Sequence, residues 1–182
     1  MGDLSAPVLV CIIGAECTGK TVLAQQLAAQ FGGVVVPEGL RHWCEEHGRT
    51  PLATEQVALM QTQIYKENKA LALTENARAA IIFCDTAALL TAVYSQHYFA
   101  DSSLLGAAQA HHQRYALTLW LQPDLPWVAD GLQRDGVAVQ AAVHGLLAQQ
   151  LASQPWVFRI SGSGQARLHA ARAALLQALG PQ

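Results

Sequence analysis

The segment Gly14-Ala15-Glu16-Cys17-Thr18-Gly19-Lys20-Thr21 constrains the start of the fold more than any other feature of the chain. It has the form G-x-x-x-x-G-K-T and directly follows the unbroken apolar run Val8-Leu9-Val10-Cys11-Ile12-Ile13. A run without alternation reads as a strand buried on both faces. From Thr21 onward, Val22, Leu23, Leu27 and Phe31 fall at helical spacing. Strand, tight loop and helix thus come in the order a phosphate-binding loop needs. In such a loop the backbone amides converge on an anion, the helix N-terminus adds partial positive charge, and Lys20 adds a full one. All eight residues, Gly14, Ala15, Glu16, Cys17, Thr18, Gly19, Lys20 and Thr21, are therefore candidate contacts to the phosphates of a nucleotide. ATP with Mg²⁺ is the expected pair, the metal taken by the Thr21 hydroxyl.

The rest of the chain alternates in the same way. Gly32-Gly33 breaks the first helix, Val34-Val35-Val36 forms a short strand closed by Pro37, and residues 38–46 form a short helix before Gly48. Thr54 is placed to cap a helix over 55–77 that turns Val57, Met60, Ile64 and Leu71 toward the core. Residues 80–84 read as a buried strand ended by Asp85, and a helix follows over 86–98. Ser102 and Ser103 can start another helix reaching His112. Residues 116–121 read as a central strand, 137–151 as a helix, 155–160 as the last strand and 166–179 as the closing helix. Five apolar strands separated by helices predict an α/β fold of the P-loop NTPase class. Its sheet should be mostly parallel and five-stranded, with helices on both faces and right-handed crossovers, in a single domain over residues 1–182. Ligands of such sheets lie at the carboxyl ends of the strands, and the polar residues found there carry the candidate chemistry.

Lys20 is the first of these, because phosphoryl transfer needs positive charge on the β- and γ-oxygens as charge develops. Asp85 ends a hydrophobic strand, as a Walker B acid does, and can hold Mg²⁺ directly or through water; it can equally cap a helix starting at Thr86. Glu38 and Arg41 lie just past the second strand. A carboxylate at that point can accept the proton of an acceptor hydroxyl or bind a pair of ribose hydroxyls, while Arg41, one turn on, can reach an anion or hold Glu38. The plainer alternative is an exposed ion pair at the start of a helix. Asp130, Gln133, Arg134 and Asp135 follow the fourth strand, where Arg134 can neutralise charge in the transition state or simply belong to a solvated loop. Ser161-Gly162-Ser163-Gly164 can pass close to a nucleotide base, with Ser163 as the contact, or only make a turn. Trp43, Tyr65, Tyr94 and Tyr98 are candidates to stack on an aromatic acceptor, with core packing as the alternative. His97, His111 and His112 have no ligand spacing with Cys or Asp, and no zinc is expected.

Four segments together resemble the ribosylnicotinamide kinase domain of the bacterial NadR family, a group often filed with the AAA-like ATPase domains. They are Gly14 to Thr21, Val36-Pro37-Glu38-Gly39-Leu40-Arg41, Phe83-Cys84-Asp85-Thr86 and Trp127-Val128-Ala129-Asp130-Gly131-Leu132. The likeness runs over roughly residues 8 to 160, and the tryptophan segment after the fourth strand is more specific than the first motif. It implies transfer of the γ-phosphate of ATP to the 5′-hydroxyl of nicotinamide riboside, giving nicotinamide mononucleotide. It would put Glu38 and Arg41 on the acceptor side, and Asp85 near the metal and the transferred phosphate. Two departures stand out. The family often writes Asp-Thr-Asp where this chain has Asp85-Thr86-Ala87, and its lid usually reads Asp-Gly-Leu-Arg where this chain has Gln133, with Arg134 one place late. A free-standing kinase is expected, without an adenylyltransferase domain.

Composition narrows the partners. Net charge is −2, charged residues make up 13 % of the chain, and it holds only three lysines, so it lacks the basic cluster that a nucleic-acid groove requires. No apolar run is long enough to span a bilayer and no signal peptide is evident. The four cysteines, Cys11, Cys17, Cys44 and Cys84, show no C-x-x-C spacing, and a reducing cytoplasm is expected. The expected partner is a small nucleoside-like acceptor. The rival readings are a nucleotide-dependent regulatory ATPase, which would hydrolyse ATP without an acceptor, and a kinase of another nucleoside or a sugar. The absence of an Asn-Lys-x-Asp segment argues against a translation-type GTPase.

Overall fold

The computed structural model describes residues 6–75, 80–128 and 136–180. Strand β1 (Val8–Ile13) leads through the glycine-flanked loop into α1 (Lys20–Phe31), followed by β2 (Val34–Val36) and α2 (Gly39–His47). A 3₁₀ turn (Ala53–Glu55) opens α3 (Gln56–Thr74). Next come β3 (Ile81–Asp85), α4 (Ala88–Phe99), α5 (Leu105–His112), β4 (Leu117–Leu121), α6 (Val137–Leu151), β5 (Val157–Ile160) and α7 (Gly164–Leu179). The strands pair in parallel in the order β2-β3-β1-β4-β5. The phosphate loop therefore leaves the middle of the sheet, where the order reverses between β3 and β4.

Period-two alternation within the apolar strands divides the core in two. Leu9, Cys11, Ile13, Ile82, Cys84 and Trp120 face one way, against Met60 and Ala70 of α3, most of the inner face of α4, and Val143, Leu147 and Leu151 of α6. Val10, Ile12, Phe83, Leu117, Leu119 and Leu121 face the other way, against Leu23, Ala24 and Leu27 of α1 and Leu168, Ala171 and Leu175 of α7. At about 1.5–3 kcal/mol for each fully buried aliphatic or aromatic side chain, the two layers hold the strand ends in fixed relation. Burial pushes the thiols of Cys11 and Cys84 well up, with the negative charge of Glu67 the next cause for each. All four cysteines are free thiols. No described helix is long and apolar enough to cross a membrane.

Several local expectations are corrected. Thr54 does not cap α3; the Glu55 carboxylate takes the backbone N–H of Leu52 at 2.7 Å and is itself held by Arg49. Val22 and Val57, placed on apolar stripes by their spacing, are exposed, because each lies one residue off the buried face of its helix. Asp85 is the last residue of β3 and caps nothing: α4 begins at Ala88, its N-cap is Ala87, and no side chain bonds to it there. Thr86 is not helical but has φ +84°.

Candidate active site

The phosphate loop is built by close approach. A Cβ at Gly14 would lie 2.7 Å from Thr18 Oγ1 and 3.0 Å from the carbonyl oxygen of Leu121, so only glycine fits. Gly19 has φ +80° and serves as the N-cap of α1, leaving the first amides of the helix directed into the loop. The loop then bonds to itself. Thr18 Oγ1 donates to the Ala15 carbonyl at 2.8 Å, and Lys20 Nζ donates to the carbonyls of Gly14 (3.1 Å) and Ala15 (3.0 Å). The ammonium, nearly buried, is thus kept at the loop by weak neutral acceptors that a phosphate can outcompete.

Asp85 reaches this loop through the sheet. The β1–β3 register sets it opposite Ile12, and Thr21 Oγ1 donates to its Oδ2 at 2.6 Å. Its other oxygen, Oδ1, is buried with no hydrogen-bond partner. A hydroxyl and a carboxylate side by side are the hard oxygen donors that Mg²⁺ prefers, and the unpartnered Oδ1 suits a direct or water-bridged contact. Thr21 and Asp85 therefore fit the metal expected with ATP.

On the next strand end, Glu38 is the N-cap of α2, and its side chain is only 9 % exposed. Arg41 lies one turn on, half exposed, with Nε 4.0 Å from Glu38 Oε2. Glu38 is therefore sheltered, unlike the exposed carboxylate of the plainer alternative. The start of α2 is braced from below: the backbone N–H of Gly39 donates to Gln63 Oε1 at 3.1 Å, and Gln63 Nε2 donates to Glu67 Oε1 at 3.3 Å. Glu67 is wholly buried and also accepts from the Tyr115 hydroxyl and from His111 Nε2, each at 2.8 Å. Burial, then the negative charges of Glu38 and Glu16, push the Tyr94 hydroxyl well up. Trp127 Nε1 donates to Glu16 Oε1 at 3.4 Å, and Gln140 Nε2 donates to the Glu16 carbonyl at 2.8 Å. Glu16 thus sits in the phosphate loop by sequence, with its side chain tied to the tryptophan segment. Cys17, at φ +56°, donates its thiol to the Val128 carbonyl at 3.3 Å.

The loop after β5 leads into α7 with Ser163 as N-cap and without a side-chain cap bond. Behind it, the buried Arg167 donates Nε to the Gly162 carbonyl (2.7 Å) and a terminal nitrogen to the Gln122 carbonyl (3.1 Å), and it also bonds the Thr18 carbonyl and Asp124 Oδ1. Asp124 Oδ2 accepts the Gly162 N–H at 2.6 Å. Burial lowers the pKa of Arg167, and the Asp124 charge opposes that shift. One guanidinium therefore joins the phosphate loop to the segment carrying Ser163.

The structure brings Lys20, Thr21 and Asp85 together at the loop from Gly14, and Glu38 follows the neighbouring strand β2. Asp130, Gln133, Arg134 and Asp135 lie outside the described residues. Trp43 and Tyr65 do not join the site: Trp43 stacks on His47 under the Arg49 guanidinium, and Tyr65 is exposed. Gln63, Glu67, Gln140 and Arg167 went unnoticed in the sequence. The signal for two of them was present: Gln56, Gln63, Glu67 and Thr74 recur on one face of α3, and all four are buried.

A family model described as an AAA domain matches residues 9–167. The fold is shared with a NadR protein solved in complex with NAD and AMP-PNP, with TM-score 0.78 and 21 % identity over 97 % of this chain and 50 % of that one. A NadR protein in complex with NR gives TM-score 0.78 and 20 % identity over 97 % and 52 %. This chain spans about half the length of those proteins. A deoxyadenosine kinase from M. mycoides, with products dCMP and dCDP, gives TM-score 0.65 and 10 % identity over 93 % of this chain and all of that one. No curated protein matches the sequence.

Proposed function

The chain belongs to the AAA domain family, and from that premise we propose that it is an ATP-dependent small-molecule kinase whose acceptor is the 5′-hydroxyl of nicotinamide riboside. The observation that carries the proposal is the meeting of two strand ends. The Thr21–Asp85 pair at 2.6 Å stands beside the phosphate loop, and the sheltered Glu38 stands at the end of the strand next to that of Asp85. A hydrolytic switch needs the first arrangement only; a carboxylate withdrawn from solvent beside it suits a proton acceptor for an incoming alcohol. The proteins of like fold solved with AMP-PNP, with NR and with deoxynucleotide products support the same class of chemistry.

In the proposed reaction the loop amides and the N-terminus of α1 hold the phosphates in place. Lys20 exchanges the Gly14 and Ala15 carbonyls for the β- and γ-oxygens and stabilises the charge that develops there. Thr21 and Asp85 would hold Mg²⁺, which when bound neutralises charge on the phosphate oxygens. The acceptor oxygen bonds to the γ-phosphorus, its proton passes to Glu38, and the bond from that phosphorus to the bridging oxygen breaks, leaving ADP. Trp127, whose Nε1 reaches Glu16, would offer an aromatic surface for the base of the acceptor, with Tyr94, partly buried against the core, as a second candidate. Ser163, on the segment tied back by Arg167, would face the adenine side, and Arg134 would act from the lid.

The test is an acceptor screen with ATP and Mg²⁺ that reads ADP release, with nicotinamide riboside beside adenosine, uridine, thymidine and small sugars. A sharp rise with nicotinamide riboside is expected. A rise with another alcohol reassigns the acceptor, and a rate indifferent to all of them replaces the kinase with a regulatory ATPase.

A further inference from the structure

We propose that Thr86 is a substrate-binding residue whose hydroxyl contacts the phosphate-accepting alcohol itself. This deepens the kinase reading and rests on it. Thr86 has φ +84°, a left-handed conformation that a β-branched residue adopts only under strain. Such strain persists where surrounding structure enforces it, and it gathers at ligand sites. Its Oγ1 is buried and has no hydrogen-bond partner, in a protein interior where buried hydroxyls are nearly always bonded. The preceding residue repeats the pattern, with Asp85 Oδ2 committed to Thr21 and Oδ1 unpartnered. Two unused oxygens therefore stand on consecutive residues at the end of β3.

The position of Thr86 decides what they serve. Its backbone N–H donates to the carbonyl of Ile12 at 2.9 Å, which latches it to the strand that feeds the phosphate loop. On the other side β2 pairs with β3 up to Val36 and Cys84, so Glu38 and Thr86 each follow the last paired residue of neighbouring strands by two positions. Thr86 thus stands between the phosphate loop and the proposed proton acceptor, where an alcohol must lie to attack the γ-phosphorus and give up its proton to Glu38. An alcohol oxygen has two lone pairs. One attacks phosphorus, and the other can accept a hydrogen bond from Thr86, which fixes the direction of attack without itself being consumed. Thr86 is also the only polar side chain between Asp85 and Thr91, since Ala87 offers no polar group.

The decisive variant is Thr86→Val, which keeps shape and branching and removes only the hydroxyl. Removing an unpartnered buried hydroxyl relieves the fold of an unmet polar group, so the thermal midpoint should hold or rise. Affinity for Mg²⁺·ATP by calorimetry should not change, while kcat/KM for the acceptor should fall at least about tenfold, the loss of one hydrogen bond held more strongly in the transition state. Thr86→Ser should restore most of it. Should the valine variant fail to fold, Thr86→Gly, which accepts the left-handed backbone, carries the same measurement. Thr86→Val with the wild-type kcat/KM overturns the assignment, as does a variant that loses midpoint, ATP affinity and turnover together. If the wild-type protein itself releases no ADP in response to any alcohol, the kinase reading has failed and Thr86 falls with it; a wild type that responds, matched by Thr86→Val, sinks the Thr86 assignment alone.

Discussion

The phosphate side and the acceptor side proposed for the site meet at Asp85 and Thr86, yet they are held in different ways. On the phosphate side the bonds that the loop makes to itself are short in sequence: Thr18 to Ala15 spans three residues and Lys20 to Gly14 six, while Asp85 and Arg167 join the loop from 64 and 149 residues away. On the acceptor side they are long: Gln63 reaches Gly39 across 24 residues, Trp127 reaches Glu16 across 111, and Gln140 reaches Glu16 across 124. The internal bonds of that loop need only its own strand and helix, and its two distant partners bind to a shape already made. A pocket assembled from five elements needs the whole sheet in register, and its parts can be exchanged one by one. The phosphate side should therefore fail through chemistry, while the acceptor side should fail through geometry.

The largest expected effect tests the first half of that contrast. Lys20→Ala removes the one full positive charge of the loop, and kcat should fall by about 10³-fold or more with the circular dichroism spectrum intact. A collapse of the spectrum instead would mean that Nζ on the Gly14 and Ala15 carbonyls holds the fold. Glu38→Gln comes next. It keeps the shape of the N-cap of α2 and removes the proposed proton acceptor, and kcat should drop by about 10²-fold with Mg²⁺·ATP affinity unchanged. Equal rates of acceptor-free hydrolysis in wild type and Glu38→Gln would accompany this result. If hydrolysis fell in step with transfer, Glu38 would belong to the phosphate side and the contrast would blur.

The same difference governs what could be read from the chain. Gly14 to Thr21 was legible because every requirement of a phosphate loop, from the tight approach at Gly14 to the positive φ at Gly19, is met within eight residues. The strand ends were legible because the apolar runs stop at polar residues, which fixed Asp85 and Glu38. The partner of Asp85 was not, because a carboxylate at a strand end serves a cap or a neighbouring hydroxyl equally well until the β1–β3 register is known. Thr86 was misread as helical because nothing in a threonine announces a left-handed backbone. Gln63 and Glu67 draw no reading from a helix read only for its apolar stripe, although the buried face of α3 carries Gln56, Gln63, Glu67 and Thr74.

Two braces, one on each side, sharpen the comparison further. Arg167→Met leaves Asp124 and the carbonyls of Thr18, Gln122 and Gly162 without their shared donor. A loss of roughly 2 kcal/mol is expected from groups left unpaired, which lowers the thermal midpoint by about 4–8 °C. Because the brace joins the phosphate loop to the segment carrying Ser163, KM for ATP should rise by about tenfold, with the acceptor KM unmoved. A rise in both would show that the two sides share one scaffold.

Gln63→Met carries the smallest expected effect and the finest distinction. The side chain is nearly isosteric, so the packing of α3 survives, while the N–H of Gly39 loses its acceptor and Glu67 keeps Tyr115 and His111. The start of α2 is then free to shift by the little that one missing bond allows. Glu38 sits on that start, so the change should appear as a rise of about three- to tenfold in the acceptor KM, with Mg²⁺·ATP affinity and the spectrum unchanged. A Gln63→Glu variant would place a second carboxylate against Glu67 and should be worse in the acceptor KM and in stability, since like charges buried together cannot both stay ionised. If Gln63→Met instead left the acceptor KM alone and lowered only the thermal midpoint, α3 would support the fold and not Glu38. The acceptor side would then depend on its own loop as locally as the phosphate side does.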